Sequence, residues 1–229
     1  MIALVNASRV QRSAHGTAVI LQPTTLGFPA RARVGILAAA GSGKSSLARL
    51  FAGLEPPDTG HVVTQGRVSW PMGFAGGFHP ELTAADNIAL LAQIVGADPA
   101  PCIAFCASFG DLTPVMNRPV KTFSPIARAT LAFSFSLAVP CDTYIADEVT
   151  GAGSDLMRRK CDAMLDRRLQ TAGLILLSRN PGQIRKYCQS FFALIQGRLL
   201  PCRSVDIAAT ALQMTRSPGP DDDLMEQLP

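Results

Sequence analysis

Hydrophobic residues in this chain form short continuous runs, separated by segments in which they recur at helical spacing. The continuous runs, bounded by Gly, Pro or charged residues, predict buried strands at 2–5, 18–21, 34–37, 67–70, 143–146, 174–177 and 191–195, the last followed by a turn at 197–199. The helical spacing predicts helices at 46–52, 83–94, 101–109, 124–137, 156–169, 183–188 and 205–214. Buried strands alternating with helices are typical of an α/β fold with a largely parallel sheet covered on both faces.

Turn and capping residues mark the ends of several elements. Pro23, Gly27 and Pro29 are expected to separate the second strand from the third. Thr83 is a candidate helix cap, because threonine oxygens accept from backbone N–H groups of the first turn. Ser124 followed by Pro125 also predicts a helix start, because proline suits the first helical position.

Composition excludes several classes of protein. The hydrophobic content of 48% is enough for a sizeable core, and the net charge of +4 comes from scattered Lys and Arg residues that indicate no nucleic-acid partner. The 6 cysteines form no Cys-x-x-Cys pair, so we expect buried free thiols. The apolar run at 1–6 is too short for a signal peptide, and the run at 131–145 is interrupted by Pro140 and Asp142. We therefore expect a membrane role only through a partner.

The segment between the strand at 34–37 and the helix at 46–52 has the pattern of a phosphate-binding loop, Gly-x-Gly-Lys-Ser. The glycines allow the backbone N–H groups to converge on phosphate oxygens, and the helix N-terminus favours anions. Lys44 is expected to reach the β- and γ-phosphates, and the Ser45 hydroxyl to ligate Mg²⁺. The candidate nucleotide-binding residues are Ala40, Gly41, Ser42, Gly43, Lys44, Ser45 and Ser46. Ala38 stands where the full pattern has its first glycine, and the alternative is a Gly-Ser turn with an incidental Lys.

A second candidate element is the apolar strand at 143–146, which ends in two adjacent carboxylates. Adjacent residues at a strand end diverge, so the two side chains are suited to different tasks. Asp147 is a candidate Mg²⁺ ligand, and Glu148 is a candidate catalytic residue that orients or deprotonates the attacking water. The alternative is a solvated acidic turn.

Several further segments resemble the ATP-binding subunits of ABC transporters, in particular those that export capsular or other surface polysaccharides. The resemblance covers residues 1–200 and is carried by 69–78 with 82–88, by a signature segment at 121–133, by 145–153, and by 174–199. Trp70-Pro71 and the Asp-Glu-Val-Thr sequence at 147–150 are the features that favour the polysaccharide exporters.

The resemblance implies a P-loop NTPase fold with a mostly parallel core sheet, antiparallel N-terminal strands and a helical lobe at about 78–140. The ATP-binding domain would cover 1–200. Residues 201–229 are expected to form a partly disordered tail, since the stretch rich in Pro, Gly and Asp at 217–223 predicts disorder. The resemblance further implies a head-to-tail dimer, homo- or heteromeric, that binds ATP and Mg²⁺ at its interface and drives a polytopic membrane permease. The subunit would lie peripherally on the cytoplasmic face of the inner membrane, with no nucleic acid and no other metal. Each ATP would contact the phosphate loop of one subunit and the signature helix of the other.

Departures from the family pattern affect several phosphate-contacting positions. The signature helix begins Ser124-Pro125-Ile126 instead of Ser-Gly-Gly, so Ser124 remains as a hydroxyl contact while Pro125 has no N–H. Arg179 replaces the switch His and can bind phosphate, but it cannot exchange a proton. Arg12 stands near the position of the adenine-stacking aromatic, and Phe74 lies nearest the position of a common Gln. These changes keep two alternatives open, namely a hydrolysis-poor regulatory module and, further from the pattern, a small-molecule kinase.

Overall fold

The structure is a computed structural model that describes residues 1–13, 16–148 and 155–215. The strands are β1 (Ile2–Ser13), β2 (Gly16–Phe28), β3 (Arg33–Ala38), β4 (Thr59–Thr64), β5 (Val68–Pro71), β6 (Thr143–Asp147), β7 (Gly173–Ser178), β8 (Ser190–Ile195) and β9 (Arg198–Cys202). The helices are α1 (Lys44–Phe51), α2 (Ala84–Ile94), α3 (Pro99–Phe109), α4 (Pro125–Ala138), α5 (Asp155–Arg168), α6 (Pro181–Tyr187) and α7 (Val205–Met214).

The central sheet has the strand order β5-β6-β7-β3-β8-β9 and is parallel except for the β8–β9 pair. Its inner strands β6 and β7 are buried along almost their whole length, as their continuous apolar runs predict. One core cluster packs α5, α6 and α7 on one face of the sheet, and another packs α1 and the N-terminal strands on the other. The prediction of an α/β fold with a mostly parallel sheet is confirmed.

A second sheet, of order β2-β1-β4, is antiparallel and covers α1. Here the predicted strand lengths were wrong: β2 continues through Pro23 and Gly27, which were expected to end it. Pro23 is tolerated because β2 is an edge strand, where one side needs no ladder hydrogen bonds. Register shifts along β1 also break the alternation of exposed and buried residues.

The helices α2 and α3 and one face of α4, with Leu131 and Phe135, enclose a separate apolar core. Thr83 caps α2 by accepting from the Asp86 N–H at 3.1 Å, and Ser124 caps α4 by accepting from the Ala127 N–H at 3.2 Å. Asn87 is 1% exposed, and its amide donates to backbone carbonyls of the loop before α2. The predicted caps are therefore confirmed, and the lobe is held to the sheet by α4, whose Phe133 and Leu137 join the main core.

The C-terminal part of the described chain contains strand β9, which the sequence patterns did not predict. The turn predicted at 197–199 leads into β9, which pairs with β8. Helix α7 has the predicted bounds, and its Val205 and Ala208 are buried in the main core. The proposed domain limit at residue 200 falls within β9 and remains a prediction. The expected disorder at 217–223 lies outside the described residues.

Candidate functional site

The phosphate-binding loop connects the end of β3 to the start of α1. Gly41 and Gly43 have φ angles of 75° and 84°, which L-residues with side chains rarely adopt. Gly43 is the N-cap of α1, and a Cβ at this position would lie 2.3 Å from the Ile20 Cδ1 atom of β2. The Ser42 hydroxyl donates to the Ala39 carbonyl at 2.8 Å. The loop is therefore shaped by its glycines and by close contact with β2.

Parallel pairing brings the other candidate residues to the same edge of the sheet. Residue Leu37 of β3 pairs with Ser178 of β7, and Asp147 of β6 pairs with Leu177 of β7. The carboxyl ends of β3, β6 and β7 therefore meet beside the loop. Ligand sites in open α/β sheets form at this edge of the strands.

Ser45 and Asp147 are in direct contact, with the Ser45 hydroxyl donating to Asp147 Oδ2. Both are oxygen ligands of the kind that Mg²⁺ prefers, and they come from two elements that flank the loop. The donor set therefore fits a Mg²⁺ ion that is also bound by substrate phosphates.

Glu148 follows β6 in a left-handed conformation with φ of 65°, and its N–H donates to the Leu177 carbonyl at 2.9 Å. Its Oε1 atom lies 3.9 Å from Lys44 Nζ and accepts from the Arg179 N–H at 3.1 Å and from Arg179 Nε at 3.3 Å. Its Oε2 atom lies 2.6 Å from the Ser178 hydroxyl. The structure thus brings together Lys44, Glu148 and Arg179 from three separate elements.

A cavity of about 750 Å³ extends from the start of the loop to the end of β7. It is lined by Ala38, Ala40, Glu148 and Arg179, and on its far side by Leu212 and Gln213 of α7. Helix α7 is a part of this wall that the sequence patterns did not connect with the site.

Ser46 lies behind the loop and is 5% exposed. Its hydroxyl accepts from Arg49 Nη2 at 3.0 Å, and Arg49 pairs with Glu55, which pairs with Arg9 of β1 at 3.2 Å. Sequence reasoning missed this ion-pair chain, although Arg49 one turn after Ser46 was a signal for it.

The signature residues lie apart from the loop, at the N-terminus of α4 in the helical lobe. Ser124 caps the helix, Pro125 occupies its first position, and Ile126 is 63% exposed. Since the Ala127 N–H already binds Ser124 Oγ and the Arg128 N–H binds the Ser124 carbonyl, Ile126 supplies the remaining first-turn N–H group.

Burial raises the pKa of the Cys188 thiol to about 12 and that of Cys161 to about 11. Within the described ranges no group of three or more His, Cys, Asp or Glu residues is placed to hold a metal ion. In the same ranges, no helix has the length and apolar character needed to cross a membrane.

A glycine-rich loop between a parallel strand and a helix, with a Ser–Asp pair and a glutamate at the adjacent strand end, defines a P-loop nucleoside triphosphatase. The sequence profile of the ABC transporter family matches residues 21–151. The chain belongs to the ABC transporter family, within its ATPase subunits.

Two relatives match over most of their length. The capsule polysaccharide export ATP-binding protein CtrD of Neisseria meningitidis serogroup B is 32% identical, over 91% of this chain and 96% of the relative. The polysialic acid transport ATP-binding protein KpsT of Escherichia coli is 30% identical, over 82% of this chain and 87% of the relative. Among solved structures, the dimeric ATP-binding cassette MJ0796 bound to ADP and Pi has a TM-score of 0.72 at 17% identity, covering 87% of this chain and 96% of that one.

Proposed function

We propose that this chain is the ATP-binding subunit of an ABC transporter that exports a capsular or other surface polysaccharide across the inner membrane. The named relatives support the transport role, since they match over nearly their whole length. The single observation that carries the ATPase role is the placement of Glu148 beside Lys44 of the phosphate-binding loop, next to the Ser45–Asp147 pair.

Each candidate residue has a distinct task in this proposal. The N–H groups at 40–46 bind the phosphates, and Lys44 contacts the β- and γ-phosphates. Ser45 and Asp147 hold Mg²⁺, which when bound offsets the negative charge of the phosphates. Glu148 orients the attacking water and accepts its proton. Ser124 of a second subunit reaches the nucleotide from the opposite side, so the working unit is a dimer.

The membrane permease is proposed to dock on an apolar groove between the sheet and the helical lobe. The groove has a volume of about 330 Å³ and is lined by Leu54, Trp70, Phe74, Ile94 and Phe135. Ile94 is 69% exposed and Leu54 is 46% exposed, an unusual amount of apolar surface beside one cavity. An apolar segment of the permease would cover these side chains and hold the subunit at the cytoplasmic face of the membrane.

The proposal is tested with the chain and its permease reconstituted in vesicles. We expect ATP-dependent movement of polysaccharide that Glu148→Gln abolishes, while binding of ATP persists. A subunit that binds ATP but neither hydrolyses it nor supports transport would favour the alternative of a hydrolysis-poor regulatory module. The relatives favour export, whereas the alternative is based on Pro125, the exposed Ile126 and Arg179.

A further inference from the structure

A half-buried ion-pair chain lies one helical turn from the candidate Mg²⁺ ligands. Arg49 of α1 donates through Nε to Glu55 Oε1, and through Nη2 to the Ser46 hydroxyl at 3.0 Å. The Glu55 Oε2 atom in turn lies 3.2 Å from Arg9 Nη2. The Arg49 and Glu55 side chains are only 28% and 23% exposed, so solvent screens their attraction less than on an open surface. The guanidinium of Arg49 is therefore held in one place beside the phosphate-binding loop.

The same guanidinium lies close to the candidate Mg²⁺ site. Arg49 follows Ser45 by one turn of α1, which places their Cβ atoms about 5–6 Å apart on one face of the helix. The Ser45 hydroxyl contacts Asp147, and these two residues line a cavity of about 270 Å³ together with Arg49. The other described residues of its wall are uncharged: Pro71, Met72, Gly73, Phe74 and Ala75. Asp147 is therefore the carboxylate in this cavity that a released Arg49 would meet.

A cation that pairs with Asp147 competes directly with Mg²⁺ for the same oxygens. Ser45 and Asp147 are the proposed Mg²⁺ ligands, and a guanidinium can bind a carboxylate through two parallel hydrogen bonds. An unpaired positive charge beside the site also repels a divalent cation. The charge of Arg49 must therefore be neutralised by a group outside the proposed set of Mg²⁺ ligands.

We propose that Glu55 is a positioning residue that keeps Arg49 away from Asp147, so that Asp147 stays available to Mg²⁺. The Oε1 atom of Glu55 accepts from Arg49 Nε, while Arg9 holds Oε2 and fixes the orientation of the carboxylate. This inference rests on the proposed function, because it concerns the metal ligands of the same site.

The pairing of the two arginines shows which of them depends on Glu55. Arg9 has a second carboxylate partner, since its Nη1 atom lies 3.4 Å from Asp58 Oδ1. For Arg49, Glu55 is the carboxylate partner within the described part of the chain. Loss of the charge on Glu55 therefore releases Arg49 in particular, while Arg9 keeps a partner.

The test compares nucleotide binding with and without Mg²⁺ in Glu55→Gln, in Arg49→Gln and in the double variant that combines them. A non-hydrolysable ATP analogue is titrated by calorimetry, once at saturating Mg²⁺ and once in EDTA. The metal ratio is the dissociation constant in EDTA divided by that in Mg²⁺. Asp58→Asn is the matched control, because its carboxylate belongs to the same chain of ion pairs but contacts Arg9 instead of Arg49.

We expect Glu55→Gln to lower the metal ratio at least about fivefold without weakening the affinity in EDTA, because Asp147 becomes engaged in a charge-assisted hydrogen bond. Arg49→Gln breaks the same ion pair but leaves no cation to compete, so its metal ratio should stay within about twofold of wild type. The double variant should recover the wild-type ratio, although it lacks the ion pair too. Asp58→Asn should leave the ratio unchanged.

A fall of the metal ratio in Arg49→Gln, or a double variant that recovers nothing relative to Glu55→Gln, would show that the ion pair only supports the fold. Either result would overturn the inference while the proposed function stands, as would an unchanged ratio in Glu55→Gln. If Mg²⁺ does not strengthen binding of the analogue to wild type, the proposed roles of Ser45 and Asp147 are refuted, and the inference with them.

Discussion

Replacing Gly43 by alanine tests how the phosphate-binding loop is built. Gly43 has φ of 84°, and an added Cβ would lie 2.3 Å from Ile20 Cδ1 and 3.0 Å from Ile20 Cγ2. The substitution therefore combines backbone strain with a clash against β2. Relief of the clash must move the Ile20 side chain, which is 2% exposed and packed in the core, or the helix start that carries Lys44, because Gly43 caps α1.

The costs of backbone strain and of the clash with Ile20 can be estimated separately. An L-residue in the left-handed region costs about 1–2 kcal/mol, and overpacking in a filled site costs about 1–3 kcal/mol. We therefore expect Gly43→Ala to lower the free energy of unfolding by about 3 kcal/mol and to weaken ATP binding. Gly53 is the matched control, since its φ is 71° but nothing lies within 4 Å of an added Cβ. Gly53→Ala should cost about 1 kcal/mol, from strain alone.

Urea unfolding gives the free energies, and calorimetry gives the ATP affinity. Ile20→Val removes the clashing Cδ1 atom. The double variant that combines Ile20→Val with Gly43→Ala should therefore lose about 1 kcal/mol less stability than the sum of the losses in the two single variants. If Gly43→Ala and Gly53→Ala cost the same, or if Ile20→Val gives no recovery, the contact with β2 does not shape the loop.

Three further expectations follow from single residues. Glu148→Gln should lower ATP hydrolysis at least about 100-fold without weakening ATP binding, and an unchanged turnover rate would contradict its assigned role. Asn87→Ala should lower the free energy of unfolding in urea by about 2 kcal/mol, because it removes a buried amide and leaves the part-buried N–H and carbonyl groups of His79 without their partner. A change below about 0.5 kcal/mol would refute this. Burial raises the pKa of the Cys188 thiol from 9.0 to about 12, so the thiol ionises at lower pH in the unfolded chain than in the folded protein. The contribution of this thiol to stability is therefore complete below pH 9 and is lost as the pH rises towards 12. Between pH 8 and pH 10, the free energy of unfolding of wild type should therefore fall by about 1 kcal/mol more than that of Cys188→Ala. Equal losses in the two proteins would contradict the assignment of this pH dependence to Cys188.

The main architecture could be predicted because its signals are local. The run 174–177 is continuous and apolar because β7 is buried on both faces, and α7 has the predicted bounds because Ser204 caps it. The role of Gly41 and Gly43 in the phosphate-binding loop could be predicted for a similar reason. Glycine adopts the left-handed backbone that both residues have without a steric penalty, so the residue type itself is the signal.

Contacts across the sheet could not be predicted in the same way. The approach of Arg179 to Glu148 depends on the register between β6 and β7, which no local pattern specifies. The length of β2 escaped prediction because the tolerance of Pro23 follows from an edge position that only the assembled sheet defines. The wall that α7 adds to the cavity likewise depends on tertiary packing.

We expect this chain to bind magnesium triphosphate in the loop ahead of Lys44. Calorimetric titration of the purified chain with ATP and Mg²⁺ tests it directly, with Lys44→Ala as the comparison. Wild type should show saturable binding, and Lys44→Ala should weaken this binding at least about tenfold. The absence of heat at saturating ATP, or equal affinity in Lys44→Ala, would contradict it.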